Sequence, residues 1–145
     1  MNAIDRCFQT GQLKKSIPDI GKAKSSIKIS EQNHADALIQ FENKCYKWTF
    51  IAAYASMFHA ARALLFKDGV KERSHFCLCN YVKEKYRGVI EEKFLNELDN
   101  LREGRHAVLY GDEESIKTKE VDEAEADSAL KLSKGFLNAV KKLIK

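Results

Sequence analysis

Proline is nearly absent from this chain, Pro18 being the only one in 145 residues. That leaves room for long unbroken helices and excludes polyproline or mucin-like linkers. Neither G-x-G-x-x-G nor G-x-x-x-x-G-K-[ST] occurs, so the glycine-rich phosphate loops of dinucleotide-binding and P-loop proteins are excluded. Paired C-x-x-C elements are missing as well, and with them the strongest zinc signature. Charge of one sign does not dominate: 25 Lys+Arg against 21 Asp+Glu leave a net +4, which permits nucleic-acid binding without demanding it.

A long uninterrupted apolar run is also lacking. The most hydrophobic stretch, "FIAAYASMFHAARALLF" from Phe50 to Phe66, is short for a membrane span and carries His59 and Arg62. It reads as a buried helix of a soluble protein with no membrane partner. The four cysteines (Cys7, Cys45, Cys77, Cys79), in a chain with no recognisable cleavable leader, read as reduced thiols of a cytoplasmic protein, with disulfides not expected.

What is present is helical periodicity in a chain sized for one domain, 44% hydrophobic and 32% charged. Residues 1–17 show no sustained period and read as a loosely held N-terminal arm, leaving 18–145 as the helical domain. Ser16 and Pro18 suit a helix start, and Ile20, Ala23, Ile27, Ser30, His34, Leu38 and Phe41 continue a helical stripe. A second helix runs from about Tyr46 to Lys67 and is closed by Gly69. A short third has Ser74 as cap, with Phe76, Cys79, Val82 and Tyr86 inward and Arg87-Gly88 as the stop. A fourth covers about Ile90 to Leu109, ended by Gly111. The last starts near Thr118, with Ala126, Ala129, Leu130, Ser133, Leu137, Val140 and Ile144 on one face. No segment alternates like a strand. The expected fold is all-α, an up-and-down four-helix bundle with a short additional helix.

Candidate chemistry is sparse. His75, Cys77 and Cys79 have an H-x-C-x-C spacing that turns Cys77 away from the other two on a helix, so no metal or other cofactor is assigned. No cysteine lies in a recognisable nucleophile motif. His59 and Arg62, spaced i and i+3, read as an internally bonded imidazole and an arginine stem reaching for solvent. The segment "LREGRHAVLYGD" from 101 to 112 is different, because Phe94, Leu98, Leu101, Arg105 and Val108 share helical spacing and put an arginine on an apolar stripe. A guanidinium stays charged and is costly to bury alone. Arg105 therefore needs either a carboxylate (Asp112, Glu103 or Glu97) or a phosphate ligand. The acid-rich segment from Asp112 to Asp127 reads as a solvated connection, with a docking surface for a basic partner as the alternative.

Together "AYASMFHAARALLFKDGV", the following "SHF", "LREGRHAVLYGD" and the closing "GFLNAVKKLIK" resemble the HEPN domain family, and more narrowly its stand-alone archaeal and bacterial members. The likeness covers about residues 18 to 145. It implies a helical bundle that forms a homodimer, often paired with a minimal nucleotidyltransferase in toxin-antitoxin fashion. Many such proteins are metal-independent ribonucleases whose motif is an arginine, an adjacent polar residue and a histidine four to six residues on. Arg105 and His106 match the first two. The position five after Arg105 is Tyr110, and no histidine follows His106. A phenol with an ordinary pKa near 10 is a weaker base at neutral pH than an imidazole near 6.5. The resemblance thus implies a dimeric module that binds nucleotide or RNA phosphate through Arg105 and Arg102 and acts with a nucleotidyltransferase. The alternative is a ribonuclease in which Arg105 works with His106 or Tyr110. Tyr110 as a nucleotide acceptor for that partner is a third reading.

Overall fold

The computed structural model describes residues 1–111 and 118–144. Its described elements run α1 (Ala3–Gln9), β1 (Leu13–Lys15), α2 (Ile20–Glu42), α3 (Tyr46–Asp68), β2 (Val70–Glu72), α4 (His75–Lys85), α5 (Glu92–Tyr110) and α6 (Glu123–Leu143). The all-α bundle is therefore the observed fold. Helix α3 is its axis and packs on α2, α6, α5 and α4. Alanines on α3 (Ala53, Ala60, Ala61 and Ala63) are fully buried and let those neighbours approach closely. At 23 residues α3 is longer than its apolar run suggests, and by length and composition it is able to cross a membrane; here its inward residues pack against protein.

Local chemistry explains most boundaries. Ser74 caps α4 by accepting from the Cys77 amide at 3.2 Å, as its position predicts. Gly69 ends α3 with φ at +77°, and a Cβ there would lie 2.5 Å from the Ser16 carbonyl oxygen, so no larger residue fits. The start of α2 differs from expectation: Asp19, not Ser16, is the cap, accepting from the Lys22 amide at 2.9 Å. Ser16 instead donates its amide to the Gly69 carbonyl, 2.7 Å away, extending the two-stranded ladder. Helix α6 likewise begins at Asp122, whose capping box with Glu125 prevails over Thr118.

Four further expectations need correction. Residues 1–17 are not a loose arm: α1 is closed by an Asn2–Asp5 capping box, buries Ile4 and Cys7, and packs on α4. Strands do occur, β1 pairing antiparallel with β2 through Leu13↔Glu72, Lys14↔Lys71 and Lys15↔Val70. Three residues per strand are too few for alternation to be read. Cys7 and Cys77 form a disulfide tying α1 to α4, while Cys45 and Cys79 are free thiols. Their separation of 70 residues hides the pair from any spacing argument. Phe76 is 50% exposed rather than inward, because the inner face of α4 is carried by Cys77, Leu78, Tyr81 and Val82.

Candidate functional site

One face of the bundle gathers side chains from α3, α4 and α5. Helix α3 supplies Tyr54, Phe58, His59 and Arg62, which recur at i, i+4, i+5 and i+8 and so lie along one side of it. The first turn of α4 supplies His75 and Phe76. Helix α5 adds Arg102 and Arg105, spaced i and i+3. Gly104 brings α5 close to α3, since a Cβ at that position would meet the Phe50 ring at 2.7 Å.

The centre of this face is Tyr54. Its ring is 2% exposed, and its hydroxyl lies 2.7 Å from His75 Nδ1. Burial pushes the phenol up to about 12, so it keeps its proton. The His75 ring packs on Phe58 at 4.2 Å between centroids. Desolvation first, then the charges of Arg105, Arg102 and Arg62, hold His75 below the usual imidazole range. In the tautomer that carries its proton on Nε2, the neutral ring accepts the phenol's proton at Nδ1. His59, lowered by burial and then by Arg62 and His75, packs edge-on to Phe58 at 5.3 Å. Its Nδ1 is buried with no hydrogen-bond partner among the described residues.

Three guanidinium groups surround these rings. The Cζ of Arg105 stands 5.3 Å from the Tyr54 ring centroid, and that of Arg102 stands 5.5 Å from Phe76. Arg102 also donates from Nε to Asp99 Oδ1 at 3.1 Å and approaches Glu103 at 3.7 Å. Arg62 pairs with Glu72 at 2.9 Å, where burial raises the carboxyl and the arginine opposes that shift. Neither Glu97 nor Glu103, two of the carboxylates expected as structural partners, pairs with Arg105. Asp112, the third, lies outside the described residues, as does the start of the acid-rich connection.

Arg105 thus leaves the wholly buried stripe formed by Phe94, Leu98, Leu101 and Val108 and lies half-buried against an aromatic face. His106 and Tyr110 do not join it. Both are exposed, and their rings meet at 5.1 Å along the outer side of α5. One helical step of about 100° separates neighbouring residues and accounts for this divergence. The structure places Arg102 and Arg105 one turn apart on α5, over Phe76 and Tyr54, and sets His106 and Tyr110 apart. Sequence reasoning missed Tyr54 and weighed His75 only as a metal ligand, although the "SHF" segment contained the signal: a histidine at the first position of a capped helix, beside a phenylalanine.

A helical bundle with an arginine cluster on the face where α5 meets α3 and α4 is the class of protein that these features define. The chain belongs to the HEPN domain family, whose profile matches residues 23–143. It is 29% identical over 124 residues to "Putative toxin MJ0605" of Methanocaldococcus jannaschii, covering 82% of this chain and 86% of that protein. A shorter match, 43% identical over 49 residues, joins it to "UPF0332 protein PH1297" of Pyrococcus horikoshii, covering 34% of each chain.

Proposed function

We propose that this chain is a toxin-like HEPN protein whose Arg105 and Arg102 bind the phosphate of RNA or of a nucleotide, working as a homodimer with a minimal nucleotidyltransferase. The observation that carries this reading is the convergence of two half-buried guanidinium groups on rings of Tyr54 and Phe76 at one helix junction. Held over the Tyr54 ring, the planar Arg105 guanidinium can turn its hydrogen-bonding edge to an oxyanion, Arg102 adds a donor beyond those it shares with Asp99 and Glu103, and exposed Phe76 offers a face on which a base can stack. The relative named as a toxin supports the toxin-antitoxin setting.

The decisive test is binding of a mixed-sequence labelled RNA in EDTA by wild type and Arg105→Ala, with dimer state and melting temperature recorded for both. Loss of binding by a folded variant is the expected result. Unchanged binding would sink the reading. The nearness of the His106 and Tyr110 rings favours one second reading, metal-independent cleavage. Cleavage in the same EDTA reactions, reduced by His106→Gln or Tyr110→Phe, would establish it.

A further inference from the structure

We infer that His75, rather than His106, is the imidazole of the Arg105 site, and that it donates from Nε2 to the phosphate ester of a ribonucleotide unit held by Arg105 and Arg102. This rests on the phosphate-binding reading above and names the group that completes it.

Four observations lead there. Both Arg105 and His75 are anchored on Tyr54, the guanidinium over its ring at 5.3 Å and the imidazole on its hydroxyl at 2.7 Å, so one side chain fixes their mutual position. Because Nδ1 is committed to Tyr54, Nε2 is the ring nitrogen left to meet a ligand. His75 opens α4, a helix of 11 residues capped by Ser74, where the helix dipole favours an anion and disfavours an added proton on the ring. Phe76, next along the chain and half-exposed, stacks against Arg102 and provides a platform for the base attached to that phosphate. His106 meets none of these conditions, its exposed ring lying against Tyr110.

The charged and titratable groups facing His75 are Tyr54, His59 and Arg62 from α3 and Arg102 and Arg105 from α5. The three arginines oppose a proton on the ring, although Glu72 and Asp99 are paired with Arg62 and Arg102. A bound phosphate offsets that field, so ligand binding and proton uptake at His75 reinforce one another, and affinity rises as pH falls toward and below the ordinary imidazole value.

The experiment uses the full chain with a fluorescent mixed-sequence oligoribonucleotide and, separately, ATP, both in EDTA from pH 5.5 to 8. Binding of either probe fits a phosphate ester, and competition between them identifies which source the site prefers. His75→Gln is expected to weaken binding about tenfold, the scale for losing a hydrogen bond to a charged group, and to flatten the pH dependence. Tyr54→Phe should weaken it by a smaller factor and His106→Gln should leave it within about twofold. Nitrogen-resolved NMR of His75 in the wild-type protein, which needs no variant to fold, should show its titration moving to higher pH on adding the oligonucleotide. Wild-type affinity in His75→Gln with binding lost in Arg105→Ala, or a His75 titration indifferent to ligand, would overturn the assignment and leave the phosphate site standing. Failure of the wild-type protein to bind either probe would remove the phosphate site itself, and the assignment with it.

Discussion

The junction of α3 with α4 has two ends, and each places a buried tyrosine hydroxyl beside a charged group. At the end near the close of α3, Asp68 accepts from Tyr81 at 3.0 Å and from Tyr86 at 2.7 Å, while Lys67 lies 3.2 Å away. One anion is met there by two phenols and a cation, and the hydrogen-bonding capacity is largely used. At the other end Tyr54 meets His75, with guanidinium groups of Arg62, Arg102 and Arg105 around them. Positive charge gathers there: Arg62 is paired with Glu72 and Arg102 with Asp99, while Arg105 lies over the Tyr54 ring. Similar residues at one helix pair thus make a closed stabilising cluster at one end and an open cluster suited to an anion at the other.

The open end depends most on Arg105. Arg105→Ala is expected to lower RNA or nucleotide affinity by about tenfold to a hundredfold, with the melting temperature little changed, as read by fluorescence anisotropy and thermal melts. Asp68→Ala should do the reverse. Stripping two phenols and a lysine of their shared acceptor costs about 2–3 kcal/mol in denaturant titration, with affinity preserved. If Asp68→Ala abolished binding at unchanged stability, the division of labour between the two ends would be wrong.

A smaller effect is expected where α5 approaches α3 beside the open end. Gly104→Ala forces a methyl group against the Phe50 ring, at a cost of about 1–3 kcal/mol, and should also weaken binding because it displaces the helix carrying Arg105. Urea melts and the anisotropy assay check the two parts. Reducing the Cys7–Cys77 disulfide should lower stability by about 2–4 kcal/mol through the freed chain, with an effect on affinity well below that of Arg105→Ala.

The smallest effects separate the ends by pH. His59 and His75 have folded-state values below the unfolded imidazole value of about 6.5, so their neutral forms contribute fully above that pH. As pH falls through 6.5 the unfolded chain takes up protons first, and stability is lost. His34, lowered by burial and by Lys134, adds to the same acid loss from its place against Ser133. The hydroxyls of Tyr81 and Tyr86 are pushed the other way by burial and by Asp68. Their contribution is complete below the unfolded phenol value of about 10 and is lost as pH rises beyond it. Melting curves from pH 5 to 11 should therefore show His75→Gln flattening the acid limb and Tyr81→Phe the alkaline limb.

Periodicity carried much of the fold. The face of α6 read from Ala126 to Ile144 is buried as expected, because a single amphipathic helix declares its inner side through spacing alone. In α2 the same reading drifts: Ala37 is buried while Leu38 is 44% exposed, since 3.6 residues per turn carry the inward position from Ser30 and His34 to Ala37. Ser30 and Ser56 were invisible as partners, yet each hydroxyl donates to the other residue's carbonyl, at 2.7 and 2.9 Å, where α2 meets α3. Of the candidate site, Arg105 was legible as a charge on an apolar stripe, while Arg102 entered only with the family resemblance. Tyr54 and His75 were not, because each looks like an ordinary core or first-turn residue until two helices meet.

By itself the sequence determined an all-α bundle, its caps at Ser74 and Gly69, and an arginine at 105 that had to find company, since helix spacing, capping and charge burial are local properties. Tertiary structure decided what that company is. It set α5 against α3 through Gly104, placed the first turn of α4 beside Tyr54, and turned His106 and Tyr110 outward. Side chains 21 residues apart, such as Tyr54 and His75, meet only when whole helices pack, and no spacing rule within one helix encodes that meeting.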